Sequence, residues 1–463
     1  MTEVRWSRPR PSKVLVGLGV PVLRSGMLER LAVVALLATT ACGFSVAGSG
    51  PGDGGDRDTS VEPDSLGPNC TSGQIACDGR VRRVCGSTGV WDPGQDQTCD
   101  FTCAIDTCVV PSNVAIQEVA ACTAQAPRLT PPSGTTVTVT DAGGAHISCS
   151  PHCGDPGVTT INATVGGSLA RFCLASIAIP SDVTLGLPAT GGPAEAIVFI
   201  VDGAVAIDGT IAFDGSAATS TTAGEGAPGA FDGAALSSGA GNGGGGGSCG
   251  GGGGAQQGSS SHYAGGGGGG GGGTTQGAAG GSGRCSNGDH TASAGGSGGI
   301  CGTAALVPLA GGAGGGGGGD GSVGGTNGFP GGGGGGAIQI SARTSIAVTG
   351  SIRARGGDGF GTTSTDGGGG GGAGGSILLE APKITITGRL TVDGGTGGLS
   401  GAGAGGAGAT AAAGPVTGTS FTANGQGGTG GGGAGGRIRL NTIAGACTGV
   451  SPAASCTTAP LMP

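Results

Sequence analysis

The stretch AIQISARTSIAVTGSIRARG occupies residues 337–356. Read with a period of two, Ile338, Ile340 and Ala342 fall on one face. Ile346 with Val348, then Ile352 with Ala354, continue that face after short breaks. The opposite face carries Gln339, Ser341, Arg343, Thr349, Arg353 and Arg355. Alternation over such short spans marks half-buried strands. A run of six glycines, 331–336, leads directly into it.

The pattern recurs. AIVFIVDGAVAIDGTIAFDG at 196–215 aligns with it without a gap, at an offset of 141 residues. A third copy, SILLEAPKITITGRLTVDG at 376–394, lacks one residue near Pro382, and a fragment, RIRLNTIAG, begins at Arg437. The lead-in returns as GGGAGG at 370–375 and at 431–436. The same slots are apolar throughout: Ile197, Phe199, Val201, Val205, Ile207, Ile211 and Phe213 in one copy, and Ile377, Leu379, Ala381, Ile384, Ile386, Leu390 and Val392 in another. Each copy therefore predicts three short strands separated by turns. One copy cannot bury its apolar face alone, whereas stacked copies can, pairing strand on strand at about 4.8 Å. The expected fold is all-β: a parallel β-helix or β-solenoid with long glycine-rich loop insertions. Gly209, Gly350 and Gly388 share a corner slot where a positive φ is expected.

Glycine makes up 118 of the 463 residues. In regular elements each costs roughly 0.5–1 kcal/mol relative to alanine, so these residues belong in mobile excursions or in a special close-packed backbone structure. The runs lie between the last strand of one rung and the first of the next, which makes them excursions from one edge. Lengthening such a loop costs only about 0.6 kcal/mol per doubling. The runs are either disordered or packed as extended helices of three residues per turn, bonded through bare backbone. The scarcity of charge within them favours packing.

The net charge of −8 and the scattered basic residues speak against nucleic acid. Sixteen cysteines are too many for a reducing compartment unless they hold metal. LAVVALLATTA (31–41), preceded by Arg30, has the length and character of a signal peptide, with Met27 as an alternative start. It is too short to span a bilayer as a helix. Thr39-Thr40-Ala41-Cys42-Gly43 is similar to a bacterial lipoprotein signal in which Cys42 becomes the acylated first residue; Thr39 stands where leucine is usual. A plain secretory signal is the alternative.

The expected organisation is a signal at 1–42, a flexible tether rich in Gly, Pro, Ser and Asp at 43–68, and a six-cysteine disulfide module at 69–110. A β-rich N-terminal cap follows at 111–190, the glycine-rich solenoid at 191–445 and a C-terminal cap or tail at 446–463. The module's Cys70, Cys77, Cys85, Cys99, Cys103 and Cys108 allow fifteen pairings. A domain this small relies on such bridges for stability. Cys122, Cys149, Cys153 and Cys173 make two more bridges, Cys447 and Cys456 close the C-terminal end, and Cys249, Cys285 and Cys301 are placed to staple the longest glycine-rich insert. Trp91 is either a sugar-stacking platform or the miniature core of its module.

The GGGAGGxIxL lead-in, the IxVxGxIxAxGG rung and the lipoprotein-like start resemble the glycine-rich, adhesin-like β-helical surface proteins of bacteria. Filamentous haemagglutinin-type β-helices use similar rungs. The composition is similar to that of PE-PGRS-type proteins, without their N-terminal domain. The resemblance covers about 174–445 and implies a role at the cell surface or in the matrix.

Three aspartates, Asp202, Asp208 and Asp214, each precede a glycine at six-residue spacing. Parallel β-helices include polysaccharide lyases and hydrolases that use clustered carboxylates as acid, base or calcium ligands, whereas Asp-Gly is also ordinary turn chemistry. HISCSPHC (146–153) places His146, Cys149, His152 and Cys153 within eight residues, compatible with zinc or with disulfides. GGDGF (356–360) begins like a calcium nonapeptide, but Gly361 takes the aspartate slot. No catalytic, cofactor or metal residue is assigned. The expected function is structural or adhesive at the cell surface, with surface polysaccharide or extracellular matrix as partner and the membrane reached only through a lipid anchor. The alternative is a carbohydrate-active enzyme, which requires at least two acidic residues and a basic one on a single exposed groove.

Overall fold

The computed structural model describes residues 69–461, apart from 123–124, 142–143, 188–193, 260–261, 286–289, 323–327, 402, 411–413, 422–424, 444 and 452–455. The expected signal, Cys42 and the tether lie outside the described residues. What is described is nearly all β, with parallel sheets and several disulfides.

Three parallel ladders organise the chain. The first stacks Leu169–Leu174, Ala196–Val201, Ala337–Ala342, Ser376–Glu380, Arg437–Asn441 and Cys456–Ala459, with Thr164–Gly166 antiparallel at one edge. The second stacks Ile177–Ile179, Val205–Ile207, Ser345–Val348 and Lys383–Ile386. The third stacks Thr136–Thr140, Thr184–Gly186, Thr210–Ala212, Ser351–Arg353, Arg389–Thr391 and Val450–Ser451, extended by antiparallel His146–Ser150 and Thr160–Asn162. Register follows the sequence repeat. Ile197 pairs with Ile338, then Ile377, then Ile438, while Phe199 pairs with Ile340, Leu379 and Leu440. These residues and their counterparts from the other two ladders share one apolar core, in which Ile340 and Leu379 are fully buried. The offset between second and third copies falls by one residue between Ser341↔Glu380 and Ser345↔Lys383, which is the deletion beside Pro382.

Residues 169–186 form a further copy, in register with the one at 196. Its repeat character was hidden because Pro180–Val183 replaces the corner glycine and no glycine run precedes it. The corner glycines themselves have no left-handed φ, contrary to expectation. Their need is room: a Cβ on Gly350 would overlap the Gly209 carbonyl oxygen, and one on Gly388 would overlap that of Gly350.

The outer face of the first ladder is covered. Gln339, Ser341 and Arg343, polar and outward by pattern, are buried under the segment 111–122, which carries the helix Ile116–Ala121. Glu380 is buried there, and among the described residues no cation pairs with it. Its carboxylate accepts from the Ser112 amide and hydroxyl, Gln339 Nε2, Ser341 Oγ and Asn441 Nδ2, at 2.7–3.3 Å. Such charge-assisted bonds are what a buried carboxylate requires. Arg343 donates to the Val119 carbonyl and pairs with Asp202, and burial lowers its pKa to about 10. Cys122–Cys173 ties the strap to the first rung. The other bridges are Cys70–Cys85, Cys77–Cys103 and Cys99–Cys108 in the small module, Cys149–Cys153, Cys447–Cys456, and Cys249–Cys301 in the insert. Cys285 is buried, with its thiol donating to the Gln257 carbonyl.

The glycine runs pack against one another. In the run 265–273, the amides of 265, 268 and 271 donate to the carbonyls of 365, 368 and 371. Those of 266, 269 and 272 donate to 255, 252 and 249, and those of 267, 270 and 273 to 281, 278 and 275. Its carbonyls accept from three further segments, at 428–434, 316–319 and 295–301. A partner that changes with every residue and returns every third describes an extended helix of three residues per turn. Six neighbours surround this run, the longest unbroken glycine tract in the chain, and residues 265–272 are all buried. The tracts 311–319, 331–336, 367–375 and 427–436 are enclosed in the same way. Runs at the edge of the array keep larger residues at every third position facing out, as in Asp393, Thr396 and Leu399.

This packing predicts a sharp contrast between two glycines. A Cβ on Gly269 would overlap the carbonyl oxygen of Gly296, whereas one on Gly296 meets nothing within 4 Å. Gly269→Ala should cost about 2–3 kcal/mol of stability. Gly296→Ala should be neutral or stabilising by up to about 1 kcal/mol. Thermal unfolding of the two variants at one heating rate checks this; equal melting temperatures would contradict the array.

Candidate functional site: a charged groove where strands become glycine runs

The third strand of each copy continues without a turn into an extended run. Thr210–Ala212 leads into 213–218, Ser351–Arg353 into 354–361, and Arg389–Thr391 into 392–400. Neighbouring runs are tied backbone to backbone, Gly215 N–H to the Arg355 carbonyl, Gly356 N–H to Asp393 and Gly359 N–H to Thr396. With three residues per turn, one side chain in three faces out. This stacks Asp214, Arg355 and Asp393 in one column across three copies, and Ala217, Asp358 and Thr396 in the next.

All of these but Thr396 line a groove of about 260 Å³, walled by Asp214, Ala217, Arg355, Asp358 and Asp393 and floored by glycine backbone. Asp214 lies between two guanidinium groups. Arg355 Nη2 donates to Oδ2 at 3.0 Å and Nε to Oδ1 at 3.3 Å, while Arg353 Nε lies 3.4 Å from Oδ2. The Arg355 amide adds a bond to Oδ1 at 2.8 Å. The hydrogen bond to Asp214 raises the pKa of Arg355, burial opposes it, and the charges of Asp214, Asp393 and Asp358 add to the rise. Asp358 Oδ1 accepts the Thr396 amide and Asp393 Oδ1 the Ser451 hydroxyl, each at 2.7 Å. Among the described residues nothing hydrogen-bonds Oδ2 of Asp358 or of Asp393. The groove thus offers a guanidinium and two carboxylate oxygens on a backbone fixed from below.

The three aspartates singled out by spacing do not converge. Asp202 pairs with Arg343, Asp208 accepts from the Thr349 hydroxyl and Asp214 pairs with Arg355. Each partner stands 141 residues later, in the same slot of the next copy, so all three link one rung to the next. Asp214 alone of the three reaches the groove. In HISCSPHC, Cys149 and Cys153 are bridged to each other, which leaves neither thiolate to a metal. His146 Nε2 shares a hydrogen bond with the Thr140 hydroxyl and Nδ1 one with the Gly144 carbonyl. Trp91 is half-buried, its backbone bridged to Cys85.

Sequence reasoning missed Asp358 and Asp393. The signal for Asp393 was slot equivalence, since it aligns with Arg355 once the deletion at Pro382 is counted. The signal for Asp358 is its three-residue spacing from Arg355, which places both on one side of an extended helix of three residues per turn. No protein family, no curated protein and no solved structure matches this chain.

Asp214 and Arg355 are both partly exposed, at 21% and 46% of their side-chain surface. A double-mutant cycle of Asp214→Ala and Arg355→Ala should therefore give a coupling energy of about 0.5–1 kcal/mol at low salt. It should shrink in 1 M salt. Strict additivity of the two substitutions would show that the column contributes nothing.

Proposed function

We propose that this is an exported, cell-surface structural or adhesive protein whose charged groove binds polysaccharide. In this reading the stacked copies form a β-solenoid, the tether at 43–68 holds it away from the membrane, and Cys42 carries the lipid. The observation that carries the proposal is the groove itself. Arg355, Asp358 and Asp393 project at regular intervals from backbone that is hydrogen-bonded beneath them. Side chains so fixed lose little entropy when they meet a polymer. Adjacent sugar hydroxyls can donate to a carboxylate and accept from a guanidinium, which is the complement this groove offers. Sixteen cysteines and the seven bridges accord with an oxidising destination.

A carbohydrate-active enzyme is the second reading, because three carboxylates and an arginine do share one groove. General acid catalysis needs a carboxyl that carries a proton at the working pH. Asp214 spends both carboxylate oxygens on Arg353 and Arg355, whereas Asp358 and Asp393 each keep one oxygen without a hydrogen bond among the described residues, so this reading rests on those two.

Two experiments test the proposal. On a glycan array the purified mature protein should retain at least one polysaccharide, and the double variant Asp358→Asn/Asp393→Asn should lose about ten-fold in affinity or more. Retention of no polymer would remove the binding role, and release of shortened chains from the retained polymer would favour the enzyme. Radioactive palmitate should label cells expressing the wild type and leave Cys42→Ala unlabelled. Label that persists in the variant would remove the anchor.

A further inference from the structure

A second cavity lies at the opposite end of the glycine runs, where they meet the first ladder. It encloses about 150 Å³ and is walled by Phe231, Leu306, Pro308, Ala310 and Ala313, with Arg437 at its polar side. The Cys249–Cys301 bridge closes another wall. Arg437 opens the strand Arg437–Asn441, so its backbone is fixed by pairing with Ser376, while its side chain turns into the cavity lining.

The guanidinium there is poorly compensated. Nη2 donates to the Cys301 carbonyl at 3.3 Å, and Nε is withdrawn from water with no hydrogen-bond partner. Among the described residues no acidic side chain lines the cavity and none pairs with Arg437. Burial lowers the pKa of Arg437, as expected for a cation facing apolar walls without an anion. Gly302, beside the guanidinium, has a φ of +73°, a conformation that favours glycine.

A half-buried, unpaired guanidinium is costly unless an anion joins it. Its planar fork matches a carboxylate. The rest of the lining is mostly apolar, interrupted by glycine backbone, Thr274 and Ser376, which suits a ligand with an apolar body better than one that is polar all round. A cavity near 150 Å³ accommodates a body of about six carbons. We propose that this cavity binds a compact organic carboxylate, its carboxylate on Arg437 and its apolar part against Phe231, Leu306 and Ala313. The site is separate from the charged groove and does not depend on the polysaccharide reading.

Isothermal titration of the purified full chain with benzoate, and separately with inorganic phosphate, tests this. Benzoate should bind saturably, and phosphate at least ten-fold more weakly. Arg437→Gln should weaken benzoate binding at least ten-fold by removing the charge. Ala310→Leu should do the same by filling the apolar end, and this arm stands even if Arg437→Gln fails to fold. The groove variant Asp358→Asn/Asp393→Asn should bind benzoate as the wild type does. Absence of saturable benzoate binding, or undiminished binding in Ala310→Leu, would overturn the proposal. Phosphate binding as tight as benzoate would overturn the carboxylate assignment.

Discussion

Backbone carbonyls of one glycine run lie where the β-carbon of the next would have to be. At Gly269 the obstruction is the Gly296 carbonyl, at Gly372 that of Gly333, and at Gly433 that of Gly372. Contact this close lets most buried amides of the runs find a carbonyl on a neighbouring run without any strand or α-helix ladder. The cost is entropic, because glycine surrenders more freedom than any other residue when ordered. Each hydrogen bond returns only about 1 kcal/mol net, so an isolated run would not hold. These runs are not isolated. Most begin or end on a paired strand, and one loop carries the Cys249–Cys301 bridge.

The two parts of the molecule share a mode of contact. Copies stack by strand pairing, at about 4.8 Å, and the runs they feed are also tied to each other backbone to backbone. The ladder crosses the junction without interruption. Ser376 N–H donates to the Gly336 carbonyl and Arg437 N–H to that of Gly375, so the last glycine of each lead-in is the first member of the next strand pairing. Strand register therefore sets which glycines face which. The shift of one residue at Pro382 is absorbed within the rung, between the first and second ladders, and leaves the lead-ins aligned.

Much of the core was legible, because burial of Ile340, Leu379 and Phe199 requires only that apolar residues alternate and that copies agree. The copy at 169–186 was not legible, since Pro180 and Val183 close its corner without glycine. The burial of Gln339, Ser341 and Glu380 was also out of reach. Their polarity describes an exposed face, and only the arrival of Ser112 and the helix beyond it, more than two hundred residues earlier in the chain, turns that face inward. Charge scarcity within the glycine runs hinted at packing, but period-three order needs partners, and a sequence of glycines alone does not identify them.

The same gap explains the candidate site. Asp202, Asp208 and Asp214 share an Asp-Gly dipeptide, and each reaches its own equivalent slot in the next copy. Their surroundings separate them. Asp202 meets Arg343 under the strap, Asp208 meets a threonine on an exposed corner, and Asp214 meets Arg355 where the strand opens into the array. At that last place a second period takes over from the first. Within the strands side chains alternate in and out every two residues. Beyond Asp214, Arg355 and Asp393 they face out every three. The groove forms along this change of period, where outward charges from three copies stand side by side with mostly glycine between them. Reading both periods across the boundary, with each run treated as structured, is what brings Asp358 and Asp393 to the same surface as Arg355.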